Sequence, residues 1–242
     1  MPVVPAGAAP ATSLNSHQLA SSPSSKRSHE GDGSQTEGDA VEAQRNSLER
    51  SSSKKHKPDE PAVRFMPIQY DTCNTRDLVI LIASMLMELI RYNDSIPLRD
   101  GQLTRFHSRA PPGISVLDYL QRLTTHATLS PPILLSMVYY IDKLCAIYPA
   151  FTMTSLTVHR FLITSATVAS KGLSDSFWTN RTYARVGGVS VKELALLELE
   201  FLVRMNWRIV PKPEILVDYY RSLVERSPGY QLEPADVTAS LQ

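Results

Sequence analysis

The chain has 242 residues, a formal net charge of +1, a pI near 7.8 and 43% hydrophobic residues. That balance excludes a global field that would draw it onto nucleic acid or a membrane surface. Its two cysteines, Cys73 and Cys145, do not suggest a disulfide framework.

Residues 1–62 are rich in Ser, Ala, Pro, Gly and charged side chains and contain no aromatic residue. Such a segment cannot bury enough surface to offset its ordering entropy, so a disordered tail is expected there. The opening MPVVPAGAAPATS has no charged stretch followed by an apolar core, so no secretory signal is expected. Two features stand out in the tail. The basic run Lys54-Lys55-His56-Lys57 has the composition of a nuclear import signal, and also of an ordinary solvated charge cluster. Ser22-Pro23 has the form of a proline-directed phosphorylation site.

A folded domain is expected over 70–228, with a short tail at 229–242. Helix punctuation recurs throughout, and no window shows sustained period-two alternation. Thr75 is placed to cap a helix over 76–92. Its apolar run, interrupted by Ser84 and Glu88, is too short to span a bilayer. Ser115, with Asp118 three residues later, opens a helix that runs to His126. Ser130 followed by Pro131 starts a third. Ile133, Leu134, Met137, Val138, Ile141, Leu144, Cys145 and Tyr148 form its stripe, and Pro149 ends it. The segment 152–171 is apolar nearly all round, as befits the centre of a bundle, and Gly172 is placed to stop it. A short helix over 180–186 stops at Gly187-Gly188. Ser190 and Glu193 have capping-box spacing for a helix reaching Trp207. A last helix follows Pro213, over 214–226.

Enzyme constellations are missing from this pattern. No HExxH, CxxC, GxGxxG or GxxxxGK[ST] occurs, and no cofactor or metal is implied. His159, one turn into an apolar helix, reads as a hydrogen-bonded structural histidine. Tyr139-Tyr140 reads as core, and Asp142 and Lys143 as a solvated face.

One residue breaks the pattern. In SVKELALLELEFLVRMNW, positions Val191, Leu194, Ala195, Phe201, Leu202 and Met205 step at three and four, and Glu198 sits among them. A carboxylate on an apolar face is costly unless it is paired or the face meets a partner. Lys171 ends the preceding long apolar helix, where a cation also suits the helix C-terminus. Lys171 and Glu198 together read either as a structural salt bridge or as a docking site for another protein. Val168 and Leu202 flank them, as contact surface or as plain core.

The block from His159 to Ile209 closely resembles the cyclin box, and most of all the PHO-type (P/U-type) cyclins of fungal phosphate signalling. The shared features are HRFLIT, the small-residue helix ending VASKG, the linker SDSFWTNRTYARVGGVS, and KELALLELEFL followed by Asn206-Trp207. The likeness reaches back through Ile114-Ser115 and Tyr119-Leu120 to Pro131–Tyr148 and covers 110–211. It implies an all-α fold: one cyclin-box five-helix bundle with an extra N-terminal helix and a short C-terminal helix.

Cyclins carry a lysine at the end of the central helix and a glutamate in the fifth, which together grip the kinase near its mobile regulatory helix. Lys171 and Glu198 match those positions. The resemblance therefore implies a non-catalytic activator of a PHO-type cyclin-dependent kinase, resident in the nucleus and also in the cytoplasm. A phosphate-responsive transcription factor as substrate and a kinase inhibitor are the further implied partners, with no direct nucleic-acid or membrane contact. The alternative class is a cyclin-fold transcription adaptor, which typically needs two cyclin repeats and a basic surface. Two departures are visible. The MRAIL-type patch of many cell-cycle cyclins is replaced here by Ile114-Ser115-Val116-Leu117-Asp118-Tyr119-Leu120. After Pro213 the sequence leaves too few residues for a second five-helix repeat.

Overall fold

The computed structural model describes residues 63–97 and 103–234. The segment 1–62, with its basic run and Ser22-Pro23, lies outside the described residues. The element order is β1 (Arg64–Met66), α1 (Thr75–Asn93), α2 (Val116–Ala127), α3 (Pro131–Ile147), α4 (Val158–Leu173), α5 (Asn180–Gly187), α6 (Val191–Arg204), α7 (Pro213–Glu225) and β2 (Tyr230–Leu232). The described fold is all-α, apart from three-residue strands that pair in parallel, Arg64 with Tyr230 and Met66 with Leu232.

That pairing fastens the two ends of the described domain. Strands of three residues are too short to show alternation, which is why the sequence pattern did not reveal them. The Tyr220 hydroxyl donates to the Pro67 carbonyl at 2.8 Å, and Arg64 forms an ion pair with Asp77, so α7 and α1 hold the same corner.

Several boundaries follow from local chemistry. The N-cap of α1 is Asn74, whose side chain accepts from the Arg76 N–H, and not Thr75. Ser115 caps α2 through the Asp118 N–H, and Pro131 occupies the first turn of α3. The central helix begins at Val158, six residues later than its apolar composition suggested. The Thr157 hydroxyl explains the delay. It donates to the Thr152 carbonyl at 2.7 Å and accepts from the Thr154 N–H at 2.9 Å, holding the preceding residues in a turn.

Helix α4 packs against α2, α3, α5 and α6. Every residue from Val158 to Ser170 except Arg160 is buried. Its hydroxyls survive burial by bonding their own helix: Thr164 donates to the Arg160 carbonyl at 2.6 Å and Thr167 to that of Ile163 at 2.8 Å. Gly172 is the penultimate residue of α4 and does not stop it; a Cβ there would collide with the Ile209 side chain. Gly187 lets α5 approach Ile163 in the same way, and Gly188, with φ of 70°, forms the left-handed cap.

Candidate functional site

Three elements bring the candidate pair together. Lys171 stands in the last turn of α4, Glu198 in the middle of α6, and Asn180 at the first position of α5. The Lys171 Nζ lies 2.6 Å from Glu198 Oε1, and the Asn180 amide donates to Oε2 at 3.1 Å. Both carboxylate oxygens are therefore engaged, while the side chains stay 29% (Lys171) and 14% (Glu198) exposed. The lysine retains N–H groups with room for a further acceptor. Asn180 was not singled out from the sequence. Its signal there is weak, since a polar residue in a loop-to-helix linker has many uses.

Helix α6 supplies the surroundings. Ser190 caps it through the Glu193 N–H at 3.0 Å, but the capping box is not reciprocal: the Glu193 carboxylate pairs with Arg160 of α4 instead. The buried stripe is Leu194, Leu197, Phe201 and Met205. Val191 and Ala195, expected on that stripe, are exposed. Glu198 borders the stripe, and Leu202, one turn on, is partly buried. Val168 is 1% exposed and is core, so it offers no surface to a partner; α4 is enclosed on all sides at that level.

The outward face of α6 is itself apolar. Leu199 and Val203 are each 52% exposed, and Leu196 lies beside them. The sequence carried this signal, because α6 has more leucine and valine than one buried stripe accommodates. Beyond the helix, the Trp207 N–H bonds the Leu202 carbonyl and the Asn206 N–H that of Val203, a Schellman-type ending with Asn206 in the left-handed position. Trp207 is left-handed too, with φ of 58°, and its ring is exposed. Arg204 is held away from this face by Glu200 at 2.9 Å and by the Tyr148 ring, 4.0 Å beneath its guanidinium.

The remaining expected residues have structural partners. His159 Nε2 lies 3.0 Å from the Ile114 carbonyl oxygen, and its ring packs edge-on to Tyr119. Burial pushes its pKa below the ordinary value, which favours the neutral ring. Tyr140 is core and donates to the Ile209 carbonyl at 2.6 Å. Asp142, read as solvated, accepts the Tyr219 hydroxyl at 2.6 Å. Cys145 is partly buried, and its burial raises the thiol pKa to about 11, away from reactivity. Among the described residues no cluster of three His, Cys, Asp or Glu side chains could hold a metal ion. Among the described helices none is long and apolar enough to cross a membrane.

The described domain is a bundle built around one enclosed helix, with a Lys–Asn–Glu contact beside an outward apolar face. Residues 76–209 match the cyclin family model, and the chain belongs to the cyclin family. Among its relatives is the Nuc-1 negative regulatory protein preg of Neurospora crassa, 59% identical over 82% of this chain and 42% of that protein. Another is the PHO85 cyclin PHO80 of Saccharomyces cerevisiae, 49% identical over 61% of this chain and 52% of that protein. Cyclin-U4-1 of Arabidopsis thaliana is 32% identical over 60% of this chain and 74% of its own length. These relatives match a PHO-type cyclin. The chain spans about half the length of these two fungal relatives.

Proposed function

We propose that this chain is the regulatory subunit of a PHO85-type cyclin-dependent kinase and that Lys171 and Glu198 are its kinase-binding pair. The observation that carries the reading is the partly exposed Lys171–Glu198 contact, clamped by Asn180, at the edge of the solvent-facing Leu199–Val203 surface. Apolar area supplies the association free energy, and the fixed charges set the register. Leu202 joins the contact at its rim. Docking biases a bistable element of the kinase: its glutamate-bearing helix is held inward, so that the kinase's own Lys–Glu pair forms around ATP. The chain does no chemistry itself. The names of its relatives, a negative regulatory protein and a PHO85 cyclin, support negative regulation through such a kinase. In this reading the kinase phosphorylates a transcription factor and keeps phosphate-acquisition genes off. A kinase inhibitor would then bind the same assembly, and the complex would act in the nucleus.

Co-purification of the full chain with a PHO85-type kinase, followed by a kinase assay with and without it, tests the reading. Stable association and a rise in kinase activity are expected. Association without activation overturns the activator role, and failure to associate overturns the docking site.

A further inference from the structure

A second surface lies between α2 and α5, on helices that do not carry the Lys171–Glu198 contact. A cavity of about 540 Å³ there is lined by Arg122, His126, Arg185, Thr182 and Trp178. The Arg122 guanidinium reaches the Arg185 carbonyl at 3.4 Å, which ties the two helices together; its other N–H groups have no partner among the described residues. Neither guanidinium is ion-paired with a carboxylate among the described residues. Helix α5 contains no Asp or Glu, and the one acid of α2, Asp118, accepts the Ser115 hydroxyl. Uncompensated guanidiniums in one concavity fit a phosphate dianion, which accepts their planar forks.

Trp178 also lines the neighbouring cavity, of about 390 Å³, together with Ile133, Phe177, Ser170 and Tyr183. No charged side chain lines it. Ser170 and Tyr183 are almost wholly buried, and their hydroxyls have no hydrogen-bond partner among the described residues. Buried hydroxyls without partners are rare and fit a site that a ligand's polar groups complete. Phe177 and Trp178 are both exposed.

A basic cavity and a neutral aromatic cavity sharing one tryptophan suit a chain-like ligand better than a compact anion. The first takes a phosphate, and the second takes the residues that follow. Two guanidiniums on a chain of net charge +1 are too few for a nucleic-acid or lipid surface. A proline ring stacks well on an exposed indole. We propose that the α2–α5 face binds a phosphoserine–proline peptide segment, the phosphate held by Arg122 and Arg185 beside His126 and the proline on Trp178. The chain's own Ser22-Pro23 supplies such a sequence. The proposal stands apart from the kinase reading, because the free chain should bind the peptide.

The test uses the full unphosphorylated chain and a labelled peptide of residues 16–29, phosphorylated or not at Ser22, followed by fluorescence anisotropy. The phosphopeptide should bind about ten-fold or more tightly than its unphosphorylated form. The Arg122→Gln, Arg185→Gln double variant should lose most of that difference, and Trp178→Ala should weaken binding about five-fold. Arg221→Gln, an exposed cation on α7, should change nothing. Circular dichroism checks that each variant keeps its helices. Equal binding of the two peptides, no binding at all, or an equal loss in the Arg221 variant overturns the proposal. So does displacement of the phosphopeptide by an equal concentration of inorganic phosphate or duplex DNA, which would mark a free-anion or nucleic-acid site.

Discussion

Helices α4 and α6 are both dominated by apolar residues, and the fold uses them in opposite ways. Helix α4 is covered by α2, α3, α5 and α6, and its hydroxyls fold back onto its own carbonyls. Helix α6 gives Leu194, Leu197 and Phe201 to the core and leaves Leu199 and Val203 in solvent. Helix α4 is thus a scaffold that holds Lys171 at its end. Helix α6 is half scaffold, and its other half has no cover within the described domain. Apolar content alone does not separate an element that makes the fold from one that offers a surface.

The sharpest way to break this contrast is to truncate one side chain on each helix. Phe161→Ala in α4 should destabilise the domain by about 3–5 kcal/mol, as expected for removal of an enclosed aromatic side chain. Leu199→Ala on the outward face of α6 should stay within about 0.5 kcal/mol. Urea unfolding of the two variants decides it, and a similar loss in both would erase the distinction between scaffold and surface.

Lys171→Ala or Glu198→Ala tests the junction of the two helices. Each should weaken kinase binding by about 2–5 kcal/mol, the usual range for truncating one partner of a charge pair covered in a complex. The free chain should lose only about 1 kcal/mol or less, since both side chains are partly solvated. Lowered thermal stability with unchanged kinase affinity would assign the pair to the scaffold instead.

Gly187→Ala probes the closeness of α5 to α4. The added Cβ meets the Ile163 side chain, so a loss of about 1–3 kcal/mol is expected in unfolding experiments. Gly113→Ala, where nothing stands in the way, is the control and should be neutral. Ser190→Ala removes the cap of α6 and should cost about 1 kcal/mol, measured in the same way.

The smallest effect is a pH dependence from the scaffold side. Burial lowers the pKa of His107 and His159 below the ordinary 6.5. The unfolded chain therefore takes up protons first. The stability these neutral rings contribute is complete above that value and declines as pH falls below it, until the folded-state rings protonate. The urea midpoint should drop between about pH 7.5 and about pH 5.5. His159→Gln, which keeps a donor for the Ile114 carbonyl, should flatten part of that drop; an unaltered slope would remove His159 from the account.

The local chemistry that makes the helices could be read residue by residue. Ser115, Ser130 with Pro131, Ser190 and Gly188 mark their ends through side-chain and backbone rules that act within one turn. The cyclin resemblance and the contact between Lys171 and Glu198 were equally legible, since a carboxylate on an apolar helix is conspicuous without any coordinates. Thr157 was harder, because its hydroxyl acts on a turn that apolar composition disguises as helix.

What the sequence left open depends on which neighbour arrives. Val168 and Leu202 look alike in a string, yet one is enclosed by packing helices and the other is only partly covered. Asn180 becomes a partner of Glu198 only because α5 begins beside the middle of α6, 18 residues away in the chain. The β1–β2 pair joins segments more than 160 residues apart, through hydrogen bonds that no local pattern encodes. Periodicity and capping are short-range and write themselves into the chain. Coverage of a face and the meeting of distant polar atoms are settled by packing, so the tertiary structure alone decided them.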